Sequence, residues 1–388
     1  MSALKLGVKI NKNRDDGTSM EQERSYELER RWLDKSISCF ISIKKELLVD
    51  KIFYLYCFIT TIVIYSFSLY LDFPIKYSFT TYLETLGAGI YIVGVFWCIY
   101  YYFYLLIKKE PQPLKKFRIK IKQIFFPLSK PISFCISIIF LNLIFSNHTF
   151  LKSLIPTMNS FYWDHQFSDI DKIIHFGYTP WEITHTVFSS PWTSLMINVA
   201  YNAWFFVMWG VLIFFLIYKK KLLLRQQFLL TFVLSWMILG IFLATLLSSA
   251  GPCFMELITG DTRYVPLMDK LNLQSQYLTS IDLGRLWALS TQEYLWHEYI
   301  TSTNSIGSGI SAMPSMHVSI AILMALSTYR INKKVGYIFY LFAVVIQIGS
   351  VHLGWHYAID GYVSIIFTIL LWKIVGNILI NKPRTSYF

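Results

Sequence analysis

Charge is what this chain has least of. Asp, Glu, Lys and Arg make up 15% of its 388 residues, where a soluble domain carries roughly 25%. The mean hydropathy is +0.46. A water-soluble globule is thereby excluded, and a composition of 55% hydrophobic residues excludes disorder as well. Cysteine is scarce: Cys39, Cys57, Cys98, Cys135 and Cys253 are odd in number and far apart. With no C-x-x-C pair, neither a disulfide framework nor a zinc knuckle is supported. Residues 1–50 contain no apolar core of the kind a cleavable signal needs. No internal repeat is found either, so an inverted-repeat transporter is not suggested.

Long apolar runs take the place of what is missing. Eight approach the ~20-residue spanning length: 52–71, 86–107, 130–146, 195–218, 228–248, 313–329, 335–351 and 359–381. The third carries Pro131, which leaves its start open. A helix is the single segment that satisfies its own backbone in lipid. The expected fold class is therefore all-α, a polytopic membrane protein of about eight transmembrane helices.

The formal net charge of +12 invites a nucleic-acid reading until the charges are placed. Lys108, Lys109, Lys115, Lys116, Arg118, Lys120 and Lys122 follow the second run. Lys219, Lys220, Lys221 and Arg225 follow the fourth, Arg330, Lys333 and Lys334 the sixth, and Lys382 and Arg384 the eighth. With eight spans all of these share one side with the N-terminal segment, and an excess of Lys and Arg marks the cytoplasmic side. The other side holds Lys76, Lys152, Lys172, Arg263, Lys270 and Arg285, six of 35 basic residues, against 13 of the 23 acids. The positive charge is a topology signal, and no nucleic-acid partner is expected. The expected location is the bacterial inner (plasma) membrane, with both termini in the cytoplasm. Residues 21–35 read as a solvated or surface-lying helix. Segment 115–126, KKFRIKIKQIFF, reads as a stretch lying on the anionic inner leaflet. Two outer loops are long, 147–194 with many aromatics and 249–312. The sequon Asn147-His148-Thr149 falls at the start of the first.

The histidines carry the functional signal. All eight (His148, His165, His175, His185, His297, His317, His352 and His356) fall on the outer side or at an outer helix end. Histidine suits proton transfer or nucleophilic attack near neutral pH, so an outward-facing active site is expected. In Gly349–Asp360, GSVHLGWHYAID, His352, His356 and Asp360 stand at i, i+4 and i+8. On one continuous helix they fall within roughly 80° of each other. The stretch also joins two spans, so a tight turn is the alternative. Either way Asp360 can accept a hydrogen bond from one ring nitrogen of His356 and leave the other free to attack. In Gly309–His317, GISAMPSMH, Pro314 lies near the first turn of a helix, where proline is tolerated. A helix N-terminus cradles phosphate, and Ser315 with the backbone of Gly307 and Gly309 adds donors. His317 then faces the same cavity. Two such groups suit phosphoryl transfer, one imidazole attacking phosphorus and the other moving the proton of the leaving or entering oxygen.

These two segments resemble a known group. Ala-Met-Pro-Ser-Met-His (312–317) is similar to the PSxH motif of the type 2 phosphatidic acid phosphatase (PAP2) superfamily. His356-Tyr-Ala-Ile-Asp360 is similar to the H-Y-x-x-D signature of its lipid phosphotransferase branch, which includes inositol phosphorylceramide and sphingomyelin synthases. The resemblance covers roughly residues 150–375. The string around Trp163–Trp181 resembles, more softly, the aromatic outer segment of inositolphosphotransferase-like bacterial members. What the resemblance implies is a six-helix core with its site at the outer face and no metal or other cofactor. It implies His356 as nucleophile, Asp360 as its orienting partner, His317 as general acid and base, and Ser315 as a phosphate ligand. It implies a membrane-lipid donor and a lipid or polar-headgroup acceptor as partners. The domains expected are 1–51, a cytoplasmic segment; 52–129, two added spans and a basic loop; 130–381, the catalytic membrane domain; and 382–388, a cytoplasmic tail. The sequence does not specify an oligomeric state.

The chain departs from the family in its cations. K-x6-R-P is absent, and Gly349 and Ser350 occupy the positions where Ser-Arg is expected before the nucleophile. His352 and Arg285 are the first candidates to hold the phosphate in their stead, with Arg263 and Lys270 behind them. These absences favour a transferase over a phosphatase that releases inorganic phosphate. Two readings of another class are a metal-dependent enzyme using His352 and His356 as ligands and a non-catalytic lipid transporter. Asp164, His165, Asp169, Asp171 and His175 either hold a divalent metal or cap short interfacial helices. The capping reading is preferred, with the loop itself a lid. His185 and His297 are read as structural, and Cys253 as a packed small residue.

Overall fold

In the computed structural model residues 15–70, 77–301 and 309–381 are described. Lys382 and Arg384 with the rest of the tail, together with Asp72, Lys76 and Gly307, lie outside them. The helices follow in order: α1 (Asp15–Val49), α2 (Lys51–Tyr70), α3 (Leu83–Ile107), α4 (Pro113–Phe125), α5 (Ser129–Met158), α6 (Asp164–Ile174), α7 (Pro180–Val187), α8 (Pro191–Ile217) and α9 (Leu222–Met237). A π-helical turn (Ile238–Leu243) leads into α10 (Ala244–Leu246). Then come α11 (Pro252–Thr259), α12 (Val265–Ser280), α13 (Trp287–Thr301), α14 (Met316–Tyr329), α15 (Lys333–His352) and α16 (Ala358–Ile380). No strand occurs among the described residues. The protein is an all-α, multi-pass membrane protein: among the described residues seven helices are long and apolar enough to cross a bilayer, counting Leu222–Leu246 as one.

The sixth predicted span is shorter than expected. Helix α14 has 14 residues, about 21 Å at 1.5 Å per residue, against a hydrocarbon core of about 30 Å. Pro314 lies ahead of the helix rather than in its first turn, because Ser315 is the N-cap in extended conformation. The sequence VSIAILMA is apolar or small all round, and every residue from Val318 to Ala325 is buried, as expected of a helix without a polar face. It packs against α15, α16, α9 and α8.

Helix α5 runs the other way, twelve residues past the predicted end of the third span. The polar string Ser146-Asn147-His148-Thr149 reads as the end of a membrane segment, yet it is buried within the helix. The side chains of Asn147 and Thr149 find partners on neighbouring elements. Asn147 donates to Thr61 Oγ1 at 2.9 Å and accepts from the Tyr77 hydroxyl at 2.7 Å. Thr149 donates to the Tyr82 hydroxyl at 3.0 Å. Paired polar groups tolerate burial. The loop therefore starts after Met158, and the Asn147 sequon is enclosed rather than displayed.

By contacts the chain divides into two units, Met1–Val49 with Leu114–Ser133, and Asp50–Pro113 with Phe134–Phe388. In the first, α1 is exposed along most of its length, and no residue of α4 is buried. The second unit holds the packed helices. There Arg225, counted above as a flanking charge, is buried against Asp50 and donates to the carbonyls of Phe215 and Leu216.

Candidate active site

Helix α15 ends on His352, and a turn separates it from α16, so the tight-turn alternative holds. Gly354 adopts φ +74°, a left-handed conformation that glycine takes without steric cost. The amides of Trp355 and His356 both reach back to the Ser350 carbonyl, at 2.9 and 3.0 Å. This closing turn delivers His356 to the position just before Tyr357, the N-cap of α16, four residues ahead of Asp360. There His356 Nδ1 lies 3.2 Å from Asp360 Oδ2. The same oxygen accepts the Tyr357 amide at 3.1 Å, which satisfies one of the free N–H groups at the helix start. With the carboxylate accepting, Nδ1 carries the proton and Nε2 keeps its lone pair.

His317 sits in the first turn of α14. Its ring stacks on Tyr201 at 4.6 Å and packs against Trp204 at 4.2 Å. The His317 and His356 rings stand 6.5 Å apart between centroids, inclined at 61°. Ser315 joins the two motifs directly, its amide donating to the Asp360 carbonyl at 3.3 Å. The Ser315 hydroxyl is buried and has no hydrogen-bond partner among the described residues. The structure thus brings His356, Asp360, His317 and Ser315 together from two chain segments.

A third segment buttresses both. Ser249 accepts the Ala312 amide on its carbonyl at 2.9 Å and the Met313 amide on its hydroxyl at 3.2 Å. Gly251 has φ +93°, and a Cβ there would stand 2.7 Å from the Trp355 carbonyl oxygen, so no larger residue fits. Cys253 is buried, its amide bonds the Gly354 carbonyl at 2.9 Å, and burial pushes its thiol up. This supports a packing role for it.

Two aspartates of α6, seven positions apart and so on one face, hold this framework. Asp164 accepts the amides of Ala250 and Gly251 at 2.8 and 2.9 Å and the Tyr357 hydroxyl at 2.8 Å. Asp171 accepts the first amides of α16, Ala358 at 2.6 Å and Ile359 at 2.9 Å. Burial raises both carboxyls, that of Asp171 to about 6. His165 pairs with Asp261, Asp169 with Arg263, and His175 bonds Tyr362. Among the described residues no three His, Cys, Asp or Glu side chains are grouped to hold a metal ion. Capping it is, but of a different helix: Asp171 caps α16, which local sequence could not announce.

The remaining candidates sit elsewhere. His352 points its ring nitrogens at Ser194 Oγ (2.8 Å) and Thr184 Oγ1 (3.3 Å) and stacks on His185 at 3.8 Å. His185 Nε2 donates to the His352 carbonyl at 2.9 Å, and burial lowers its imidazole to about 4. Both belong to a packed seam between α7, α8 and α15. Arg285 is exposed and forms a bidentate pair with Glu293. Gly309 (φ +90°) lies against α5, where a Cβ would meet the Lys152 carbonyl carbon and oxygen at 3.1 Å.

An imidazole with one nitrogen held by a buried carboxylate, facing a second imidazole at a helix start, can attack and protonate in turn. No curated protein and no solved structure matches the chain. A family model described as the PAP2 superfamily matches residues 165–374. That is just over half of the chain, it contains His317, His356 and Asp360, and the chain belongs to the PAP2 superfamily.

Proposed function

We propose that the protein is a membrane lipid phosphotransferase, acting at the outer face on a phosphate-linked headgroup through a phosphohistidine. Membership of the superfamily supports lipid phosphatase or phosphotransferase activity in general. The transferase reading, with its likeness to the inositol phosphorylceramide synthase branch, rests on H-Y-x-x-D at His356–Asp360. The observation that carries the reading is the His356–Asp360 hydrogen bond opposite the His317 ring, 6.5 Å away.

In the first step His356 Nε2 attacks phosphorus and a P–N bond forms. The P–O bond to the lipid alkoxide breaks, and protonated His317 gives its proton to the leaving oxygen. In the second step neutral His317 takes the proton of the acceptor hydroxyl, whose oxygen attacks phosphorus. The P–N bond breaks and His356 is restored, its other nitrogen held by Asp360 throughout. The Ser315 hydroxyl and the free amides of the α14 start bind the non-bridging oxygens. The lipid tails remain in the bilayer.

His356→Ala abolishes turnover, and His317→Ala lowers it about 10²–10⁴-fold, the usual contribution of a general acid–base, while both variants fold. Wild-type rates in either one would overturn the assignment. Orthovanadate inhibits, and EDTA leaves the rate unchanged. With a labelled donor lipid the label appears in a new headgroup-bearing lipid. Its appearance as free inorganic phosphate alone would make the enzyme a phosphatase.

A further inference from the structure

We propose that Lys152 is the cation that binds the phosphate between His317 and His356, a subsite that rests on the phosphotransferase reading and adds a residue outside the matched segment. A transferring phosphoryl group spreads negative charge over its oxygens, and enzymes meet it with Arg, Lys or a metal. The site described so far offers a buried carboxylate, two imidazoles and a hydroxyl, with no fixed positive charge.

The two arginines of the long loops are engaged elsewhere. Arg263 is held by Asp169 and Asp261, and Arg285 by Glu293. The charge of Lys270 acts on the His185–His352 seam.

Lys152 is placed differently. His148, one helical turn before it on α5, has its Nε2 beside Gly240 of the π-helical turn. A Cβ on Gly240 would stand 2.8 Å from His148 Nε2 and 3.3 Å from Met316 Sδ. His148 therefore marks the face of α5 turned to the start of α14, since Met316 lies between Ser315 and His317. Residues i and i+4 share a helix face, so Lys152 lies on that face one turn further along. The backbone of Gly309 packs on it there, at the mouth of the segment leading to Ser315. Electrostatically its charge acts on both His148 and His317.

Lys152 is partly buried, and its ammonium forms no hydrogen bond or ion pair with the described residues. Enclosing an unpaired ammonium costs free energy that an anionic ligand recovers. The ligand chemistry is a phosphate monoanion or dianion, carried by a lipid headgroup or offered as orthovanadate.

The test uses the full-length protein in detergent. Equilibrium dialysis reads orthovanadate binding, and the transfer assay reads turnover. Lys152→Met is expected to weaken vanadate at least tenfold and to lower turnover about 100-fold, the usual effect of removing one transition-state donor. Lys152→Arg is expected to restore binding to within a few-fold of wild type. If Lys152→Met does not accumulate folded, Lys152→Gln is read in the same way. Wild-type vanadate affinity in the neutral variant would overturn the Lys152 subsite while His356→Ala, still inactive, left the phosphotransferase reading standing. Full turnover in both His356→Ala and Lys152→Met would overturn both.

Discussion

His185 and His352 form a stacked pair whose rings are 3.8 Å apart, enclosed by α7, α8 and α15. Burial lowers the His185 imidazole from its ordinary 6.5 to about 4. The unfolded chain thus takes up a proton below about pH 6.5 that the folded protein refuses until about pH 4. The stability this histidine contributes is complete above 6.5 and is lost as pH falls through that window. Between pH 7 and 4.5 the wild-type melting temperature is expected to drop more than that of His185→Phe, which keeps an aromatic ring and has nothing to titrate. Equal slopes would show that His185 is not the group responsible. The sequence offers His352 as a stand-in for the missing phosphate cation, and on one continuous helix it would share a face with His356. The chain reverses between them, and one ring ends in the helix seam while the other faces His317. Spacing measures distance along the chain, and a left-handed glycine at 354 is enough to break the correspondence.

At the scale of elements, α6 does more than its sequence announces. Its helix is short, and on its own it reads as a cluster of acids and histidines. In the fold, Asp164 and Asp171 become acceptors for backbone amides of the 250–251 turn and of the α16 start. Asp171→Ala leaves the Ala358 and Ile359 amides unpaired at the end of the helix that carries Asp360. The expected cost is about 2 kcal/mol of stability, read as a lower melting temperature, with a fall in turnover because His356 and Asp360 lose their fixed position. Asp171→Asn keeps one acceptor oxygen and recovers most of both. A fall in stability with full turnover would separate the cap from the site. Helix α5 shows the converse error. Its polar string ends the apolar run, but hydrogen bonds to Thr61, Tyr77 and Tyr82 let the helix continue. The sequence lists those partners 67 to 86 positions away, beyond the reach of any local pattern. Lys152 entered the helix by the same extension, and was invisible as a site residue for that reason.

For the whole molecule, seven long apolar helices and the enclosed α14 make an even number of crossings if α14 completes its passage through the packed interior. We propose that both termini then share one side and that the His317–His356 end of the bundle faces the other. In intact cells, tags at either end are expected to resist external protease. Tyr162→Cys, at an exposed position between α5 and α6, is expected to react with an impermeant maleimide added from outside. Protease-accessible termini, with Tyr162→Cys protected, would invert the orientation and move the proposed chemistry to the cytoplasmic leaflet. A stretch as short as α14 is tolerated at the centre because its neighbours, not lipid, surround it.

Composition and hydropathy alone determine that this chain lives in a membrane as an all-α bundle, because apolar surface and backbone amides have no other solution in lipid. Two short motifs likewise determine which imidazoles and which carboxylate to bring together, since His356 and Asp360 are neighbours on a single helix start. Tertiary structure decides what sequence spacing cannot: that His352 is packing, that Arg285 is occupied by Glu293, that α6 caps α16, and that α5 reaches far enough to set Lys152 beside the site. Each of those outcomes depends on a partner distant in the chain, and only folding sets the distance between them.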